Sequence, residues 1–213
     1  MKCDRKHMLL YAVTDRAWTG EQTLYRQVEA ALKGGVTCVQ LREKAMDDAA
    51  FLREAREIHA LCRQYGVPFI VNDRVEIAIA CGAEGVHVGQ DDMAAGDVRR
   101  LAGEGMILGV SVHTVEEALE AIQNGADYLG LGAVFPTSTK TDVEQMANET
   151  VRAICDVVDV PVVAIGGINR KNMRKLSGSG VDGVALVSAI FSETDIEAAC
   201  RDLRKLSEEM VNV

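Results

Sequence analysis

The stretch Gly125-Ala126-Asp127-Tyr128-Leu129 joins the glycine that ends a helical pattern to a short apolar strand. The same kind of junction occurs three more times, at residues 34–36, 82–86 and 180–184. Helices that alternate with short apolar strands indicate βα units and a parallel sheet. The junctions are too unevenly spaced for a solenoid, so we expect one continuous sheet rather than an array of repeats.

Apolar residues at helical spacing predict amphipathic helices between these junctions. Such series run through residues 24–32, 51–62 and 196–206. Thr114 and Glu117 have the spacing of a capping box, which marks the start of a further helix. Asn169 is placed to cap a helix that carries Met173 and Leu176.

The strands predicted between the helices are short and apolar on both faces, which is typical of a parallel sheet covered by helices. They are residues 8–13, 36–41, 68–71, 85–88, 107–110, 128–131, 161–165 and 183–187. Eight strands alternating with helices predict an α/β fold, a single (β/α)8 TIM barrel domain over residues 1–213. An open doubly wound sheet is the alternative, but no G-x-G-x-x-G phosphate loop follows the first strand.

Length and composition exclude several classes of protein. The chain has 213 residues, 48% of them hydrophobic, and a formal net charge of −9. A chain of this length can hold a core without disulfides or a structural metal. The acidic balance argues against a nucleic-acid partner. No stretch approaches the ~20 apolar residues of a membrane helix, so we expect no membrane partner.

The six cysteines occur without a C-x-x-C pair or a close cysteine–histidine spacing. This pattern fits neither a zinc site nor a disulfide framework. We expect reduced thiols that mostly fill the core, and a cytoplasmic location. The sequence leaves the oligomeric state open.

Polar residues follow the predicted strands at one end, where the active sites of barrel enzymes lie. The polar segments after strands two to eight are Gln40-Leu41-Arg42-Glu43-Lys44, Asn72-Asp73-Arg74, Gly89-Gln90-Asp91-Asp92, Ser111-Val112-His113, Phe135-Pro136-Thr137-Ser138-Thr139-Lys140, Gly166-Gly167 and Ser188. The two-residue period of a strand puts Gln40, Arg42 and Lys44 on a common face.

The segments after strands seven and eight predict a phosphate site. In such barrels these loops often bind phosphate through backbone N–H groups and the start of a short helix. Gly166 and Gly167 allow a close approach of the backbone. Val187 and Ser188 follow the last strand, and the Ser188 hydroxyl adds a donor. We therefore expect one phosphate monoester here.

The other side of the opening combines positive charge with carboxylates. Arg42, Lys44 and Lys140 are the cations, and Asp73 and Asp92 are the acids. Mg²⁺ prefers oxygen ligands and commonly joins one or two carboxylates to a diphosphate. The sequence thus predicts a Mg²⁺ site beside a second anion site, and hence two substrates.

Ordinary structural roles are the competing interpretation of these residues. Asp73 could cap the helix that begins near Arg74, and Ser188 could be a second cap. His87 and His113 are interpreted as shape or hydrogen-bonding residues, because no Ser/His/Asp or Cys/His pattern supports nucleophilic catalysis. The coincidence of polar residues at consecutive strand ends favours a functional site.

Taken together and in chain order, these motifs resemble those of the thiamine phosphate synthase family. The resemblance covers nearly the whole chain. It rests on Tyr11-Ala12-Val13-Thr14-Asp15, Gln40-Leu41-Arg42-Glu43-Lys44, Val71-Asn72-Asp73-Arg74, Gly85-Val86-His87-Val88-Gly89-Gln90-Asp91-Asp92-Met93, Gly109-Val110-Ser111-Val112-His113-Thr114, Pro136-Thr137-Ser138-Thr139-Lys140 and Ala164-Ile165-Gly166-Gly167-Ile168.

The resemblance implies a Mg²⁺-dependent transferase. It would join 4-amino-5-hydroxymethyl-2-methylpyrimidine diphosphate to a thiazole phosphate, and pyrophosphate would leave first in a dissociative mechanism. The residues implied for the pyrimidine diphosphate are Gln40, Leu41, Arg42, Glu43, Lys44, Asn72, Ser111 and Lys140, among which Arg42, Lys44, Ser111 and Lys140 would be catalytic. Those implied for the metal are Asp73 and Asp92. Those implied for the thiazole phosphate are Thr137, Ser138, Thr139, Gly167, Val187 and Ser188.

Two alternatives remain at this point. A thiazole tautomerase of the same fold shares several motifs, but Gln40, Asp92 and the 136–140 loop fit a reaction that expels diphosphate. A catalytically silent module that binds thiazole phosphate or thiamine phosphate would keep Gly167 and Ser188 and could lose the metal carboxylates.

Overall fold

The computed structural model describes residues 3–137 and 145–212. The strands in this part of the chain are β1 Leu10–Val13, β2 Cys38–Leu41, β3 Phe69–Asn72, β4 Gly85–Val88, β5 Ile107–Val112, β6 Tyr128–Leu131, β7 Val162–Ile165 and β8 Gly183–Leu186. They form a closed barrel in sequence order. Every neighbouring pair is parallel, including the closing pair of β1 with β8. The predicted barrel is confirmed, and the open sheet is excluded.

The helices surround the barrel. They are α1 Leu24–Lys33, α2 Asp48–Tyr65, α3 Val75–Cys81, α4 Ala95–Ala102, α5 Val115–Gln123, α6 Asn148–Val157, α7 Ser188–Phe191 and α8 Ile196–Val211. The predicted cap of α5 is confirmed, since Thr114 Oγ1 accepts a hydrogen bond of 3.1 Å from the Glu117 amide. Within residues 3–137 and 145–212, no helix is long and apolar enough to cross a membrane.

Strand residues alternate between the barrel interior and the layer under the helices. The interior cluster contains Met8, Tyr11, Val13, Cys38, Ile70, Ile107, Tyr128, Val163 and Ala185. Intervening strand residues, such as Leu10, Val39 and Leu41, belong to the larger outer cluster with the helices. This alternation decides which polar residues near the strand ends face the interior.

The helix predicted after β7 is wrong. The chain there forms a single 3-10 turn, Met173–Leu176, with Asn172 at its start. Asn169 instead folds its side chain onto the local backbone, where Oδ1 accepts from the Lys171 amide at 2.9 Å. Such a local turn competes with helix formation. The two apolar residues of the turn, Met173 and Leu176, are nevertheless buried.

The cysteines are unpaired thiols, as expected. Cys38, Cys62 and Cys200 are buried in the core, whereas Cys3, Cys81 and Cys155 are partly buried. Burial raises the pKa of Cys62 and of Cys200 to about 12. These two thiols therefore stay protonated and behave as small apolar groups.

Candidate active site

The opening at the carboxyl ends of the strands, here called the mouth, lies above a polar layer of the interior. Gln40, Asn72 and His87 have exposed fractions of only 5%, 9% and 8%. Ser111, on β5, is half-buried. Strand alternation puts these four side chains on the same face as the interior residues Cys38, Ile70 and Ile107. The structure thus brings together three residues that the sequence analysis assigned to one substrate.

A continuous chain of hydrogen bonds crosses the interior below the mouth. Gln40 Nε2 donates to Tyr11 Oη at 2.9 Å, and the Tyr11 and Tyr128 hydroxyl oxygens are also 2.9 Å apart. His87 Nδ1 lies 2.9 Å from Tyr128 Oη, and its Nε2 lies 2.9 Å from Ser111 Oγ. We call these five residues the relay. Burial raises the pKa of Tyr11 and Tyr128 well above the ordinary tyrosine value, so both phenols are neutral donors.

Arg42 is held at the mouth by the end of β1. Its amide donates to Thr14 Oγ1 at 3.0 Å, and its Nη1 donates to Asp15 Oδ2 at 3.1 Å. The remaining guanidinium N–H groups donate to none of the described residues. They are available to an anion, and a guanidinium fits phosphate oxygens well. Lys44 is exposed further along the same segment.

The side chains of Leu41 and Glu43 turn away from the interior. Leu41 is fully buried in the outer cluster. Glu43 pairs with Arg16, whose Nε donates to Oε1 at 3.0 Å, and Arg16 also pairs with Glu54. Burial, with a smaller contribution from Glu54, raises the pKa of Glu43 above its usual range. Any contact of Leu41 or Glu43 with substrate is therefore restricted to the main chain.

The two predicted metal carboxylates follow neighbouring strands. Asp73 has a left-handed backbone, with φ of 62°, and its amide donates to His87 O at 2.8 Å. Asp92 Oδ2 accepts from the Gly89 amide at 2.7 Å, two residues after His87. Both acids are thus tied to the carboxyl end of β4. A left-handed aspartate is uncommon and marks a constrained backbone.

The interpretation of Asp73 as a helix cap is not supported. The residue at the cap position of α3 is Arg74, and it makes no side-chain capping hydrogen bond. Arg74 pairs instead with Asp48 of α2. Within residues 3–137 and 145–212, no group of three or more histidine, cysteine or acidic side chains is arranged to hold a metal ion.

Backbone N–H groups line the opposite side of the mouth. Gly166 and Gly167 both have positive φ, 97° and 65°. In the part of the chain that the structure describes, the amides of Gly167, Ser188 and Ala189 donate to no acceptor. A Cβ on Gly167 would lie 2.3 Å from Pro136 O, so the β6 loop packs directly on this glycine. Val187 precedes the first turn of α7, which Ser188 begins.

The remaining predicted residues are on the loop after β6. Thr137 is half-buried at the end of the described segment. Ser138, Thr139 and Lys140 lie outside the described residues.

The histidines outside the relay make local contacts. His59 lies 3.1 Å from Glu84 and stacks on Phe69 with ring centroids 5.6 Å apart, so its contacts are those of a structural residue. His113 Nδ1 lies 3.2 Å from Glu117.

The sequence analysis missed three contributors to this site. Tyr11 and Tyr128 were assigned only to strands, and Asp15 was assigned no function. Aromatic residues inside apolar strands are usually core fillers, so sequence offered no reason to single them out. The signal that could have found them is the alternation of inward- and outward-facing positions along a strand, because Tyr11 and Tyr128 occupy interior positions on their strands.

Comparison with known proteins finds relatives over nearly the whole chain. The family model described as thiamine monophosphate synthase matches residues 10–190. The thiamine-phosphate synthase of Clostridium tetani is 47% identical over 91% of this chain and 93% of its own length. That of Ruminiclostridium cellulolyticum is 48% identical over 95% of both chains. The solved thiamine phosphate pyrophosphorylase of Pyrococcus furiosus superposes with a TM-score of 0.90, at 40% identity, over 97% of this chain and 98% of its own.

The fold and the polar mouth define an enzyme of the barrel class, and the matches identify it as a transferase. The chain belongs to the thiamine monophosphate synthase family.

Proposed function

We propose that this protein condenses 4-amino-5-hydroxymethyl-2-methylpyrimidine diphosphate with a thiazole phosphate to give thiamine phosphate and pyrophosphate. The family membership supports this reaction. The observation that carries it is the division of the mouth. Interior polar side chains and carboxylates follow β2 to β5, whereas unbonded backbone N–H groups follow β7 and β8. Two different anion sites fit two phosphorylated substrates.

Asp73 and Asp92 would hold Mg²⁺ on the diphosphate side. The donor set fits the ion, because Mg²⁺ takes oxygen ligands and keeps several waters when one or two carboxylates and a diphosphate bind it. Their common attachment to the end of β4 supports a shared site. When bound, the cation would neutralise charge on the departing pyrophosphate.

The protein residues would bind and orient the reactants in a dissociative reaction. The bond between the pyrimidine methylene carbon and the diphosphate oxygen breaks first, and both electrons leave with pyrophosphate. The aminopyrimidine ring disperses the positive charge on the carbon, and the thiazole nitrogen then forms the new C–N bond. Arg42, Lys44 and Lys140 would stabilise the leaving anion. Gln40, Asn72 and Ser111 would contact the pyrimidine, so no enzymatic base is required.

The thiazole phosphate would bind on the opposite side. The Gly167 and Ser188 amides are suited to phosphate oxygens, because a helix start with unbonded N–H groups attracts anions. Thr137, Ser138, Thr139 and Val187 complete the set that we propose around this substrate. Six unpaired thiols agree with a reducing compartment, and a cytoplasmic location stays our prediction.

The test is a coupled assay of the purified protein with both substrates, with and without Mg²⁺. We expect pyrophosphate and thiamine phosphate in equal amounts, and only when the metal and both substrates are present. Pyrophosphate without coupled thiamine phosphate would contradict the proposal. Isomerisation of a thiazole phosphate in the absence of the pyrimidine would favour the tautomerase instead.

A further inference from the structure

Burying the polar side chains of the relay in the barrel interior costs desolvation free energy. Tyr11 and Tyr128 are 1% and 0% exposed, and His87 is 8% exposed. Buried polar groups need hydrogen-bond partners, and apolar residues of similar size would avoid this requirement. The relay meets it, since the two tyrosine hydroxyls and both His87 ring nitrogens lie within 2.9 Å of a partner. A fully bonded network of this kind fixes side-chain positions.

Two glycines on neighbouring strands leave room for the rings of the relay. A Cβ on Gly109 would lie 2.1 Å from Cζ of Tyr128. A Cβ on Gly130 would lie 3.1 Å from Cε1 of His87. Both glycines have ordinary backbone angles, because neither has positive φ. The glycines therefore provide the space that the rings of Tyr128 and His87 occupy, and a larger residue at either position would collide with the relay.

The order of donors and acceptors in the relay starts at Gln40. An amide nitrogen only donates, so Tyr11 accepts from Gln40. The proton of Tyr11 can then go to Tyr128, the proton of Tyr128 to His87 Nδ1, and a proton on His87 Nε2 to Ser111 Oγ. This order gives the buried Tyr11 proton an acceptor within the relay, whereas the reverse order sends that proton outside the relay.

In this order the two ends of the relay have opposite hydrogen-bonding character. Gln40 keeps its carbonyl oxygen Oε1, which accepts from none of the described residues. Ser111 has accepted from His87, so its own hydroxyl proton is left to donate. In this order the mouth receives an acceptor from β2 and a donor from β5.

We propose that the relay adopts this order, and that Tyr11, Tyr128 and His87 are positioning residues that hold Gln40 as an acceptor and Ser111 as a donor toward the substrate. This pair selects a heteroaromatic edge with an amino N–H beside an unprotonated ring nitrogen. It rejects the oxo form of the same ring, which presents a carbonyl oxygen beside a ring N–H. The inference rests on the proposed function, in which Gln40 and Ser111 contact the pyrimidine.

The test compares the dissociation constants of two pyrimidine diphosphates, the 4-amino compound and its 4-oxo counterpart, by calorimetry with Mg²⁺ and without thiazole phosphate. Two mismatched hydrogen bonds predict a preference of the unmodified protein for the amino compound of about 100-fold. Tyr128→Phe keeps the ring and removes the central hydroxyl, so Gln40 and Ser111 are free to reverse. We expect the preference to fall to about tenfold or less.

Tyr65→Phe is the matched control, because Tyr65 is exposed on α2. It should leave the preference unchanged. Tyr11→Phe interrupts the relay next to Gln40 and repeats the test if Tyr128→Phe does not fold, as judged by circular dichroism. A merely structural role weakens the binding of both compounds equally and keeps their ratio.

An unchanged ratio in folded Tyr128→Phe or Tyr11→Phe overturns the relay, as does an unmodified protein that makes thiamine phosphate without preferring the amino compound. An unmodified protein that forms no thiamine phosphate and binds neither compound overturns the proposed function itself. The two failures are thus distinguished by the unmodified protein alone.

Discussion

Replacing Gly167 by alanine tests the phosphate side of the mouth. Gly167 has φ of 65°, and a left-handed backbone costs a residue with a Cβ about 1–2 kcal/mol. The new Cβ would lie 2.3 Å from Pro136 O and 2.7 Å from Phe135 O, which are main-chain atoms that move only with their loop. Overpacking of this kind adds about 1–3 kcal/mol. We therefore expect Gly167→Ala to lose about 2–5 kcal/mol of unfolding free energy, or roughly 4–20 °C in Tm.

The same change should weaken binding of the thiazole phosphate. Displacing the loop moves the backbone amides, and a hydrogen bond to a charged group contributes about 1.5–3 kcal/mol. Loss of one such bond raises KM for the thiazole phosphate at least about tenfold. At saturating thiazole phosphate we expect kcat to change less than KM, because the phosphate is remote from the bond that breaks.

Gly66→Ala is the matched control. Gly66 also has positive φ, 66°, at the end of α2, but a Cβ there meets no atom within 4 Å. It carries only the backbone cost of about 1–2 kcal/mol. Thermal unfolding and steady-state kinetics of the two variants separate the cost of the left-handed backbone from the effect of the collision between the new Cβ and the β6 loop. The reasoning is refuted if Gly167→Ala is as stable as Gly66→Ala and keeps the original KM for thiazole phosphate.

Three further changes test other parts of the site and the core. Lys140→Ala should lower kcat by about 10²–10³, as expected for the loss of one preorganised charge-stabilising donor. Lys175→Ala, at an exposed position, is the control and should keep the original kcat. Equal kcat values for the two variants in stopped assays would contradict this prediction. Asp92→Asn can still accept from the Gly89 amide but loses its charge, so the Mg²⁺ concentration for half-maximal rate should rise about tenfold or more, with the exposed Asp91→Asn as control. Folding raises the pKa of the Cys62 and Cys200 thiols from 9.0 to about 12. The free energy of unfolding that the two protonated thiols contribute is complete below pH 9.0 and is lost toward pH 12, by up to about 1.4 kcal/mol per pH unit for each thiol. The free energy of unfolding of the double variant Cys62→Ala/Cys200→Ala, measured from denaturation curves, should therefore depend less on pH in this range than that of the unmodified protein.

The barrel was predictable because its signals are local. Glycine-terminated helices and short apolar strands alternate regularly enough to define the order of elements, and parallel pairing follows from it. The segment after β7 is the exception. Asn169 makes side-chain hydrogen bonds within the segment, and this turn outweighs the helical spacing of Met173 and Leu176.

The two-residue alternation of side chains along a strand predicted part of the site. It correctly put Gln40 on the interior face, and the same rule would have turned Leu41 and Glu43 outward. The family resemblance includes both residues, since a motif names positions without saying whether side chain or main chain makes the contact. Structure is needed for that distinction.

The relay was beyond prediction for a topological reason. Tyr11 and Tyr128 are 117 residues apart, and their contact exists only because the barrel closes. No periodicity connects them, and each looks like a core aromatic residue in its own strand. The glycines that accommodate the rings, Gly109 and Gly130, likewise lie in strands where glycine carries no local turn signal.

The division of the mouth also bears on how a protein of net charge −9 binds two anions. Among the described residues, side-chain charge would act on the diphosphate side, where Arg42 is held by Asp15 and a cation between carboxylates would add further positive charge. The other side would rely on the backbone N–H groups of Gly167 and Ser188, which need no counterion. A diphosphate therefore gains from binding on the first side and a monoester on the second. This difference would keep the two substrates from exchanging places, and it would restrict any metal dependence to the diphosphate.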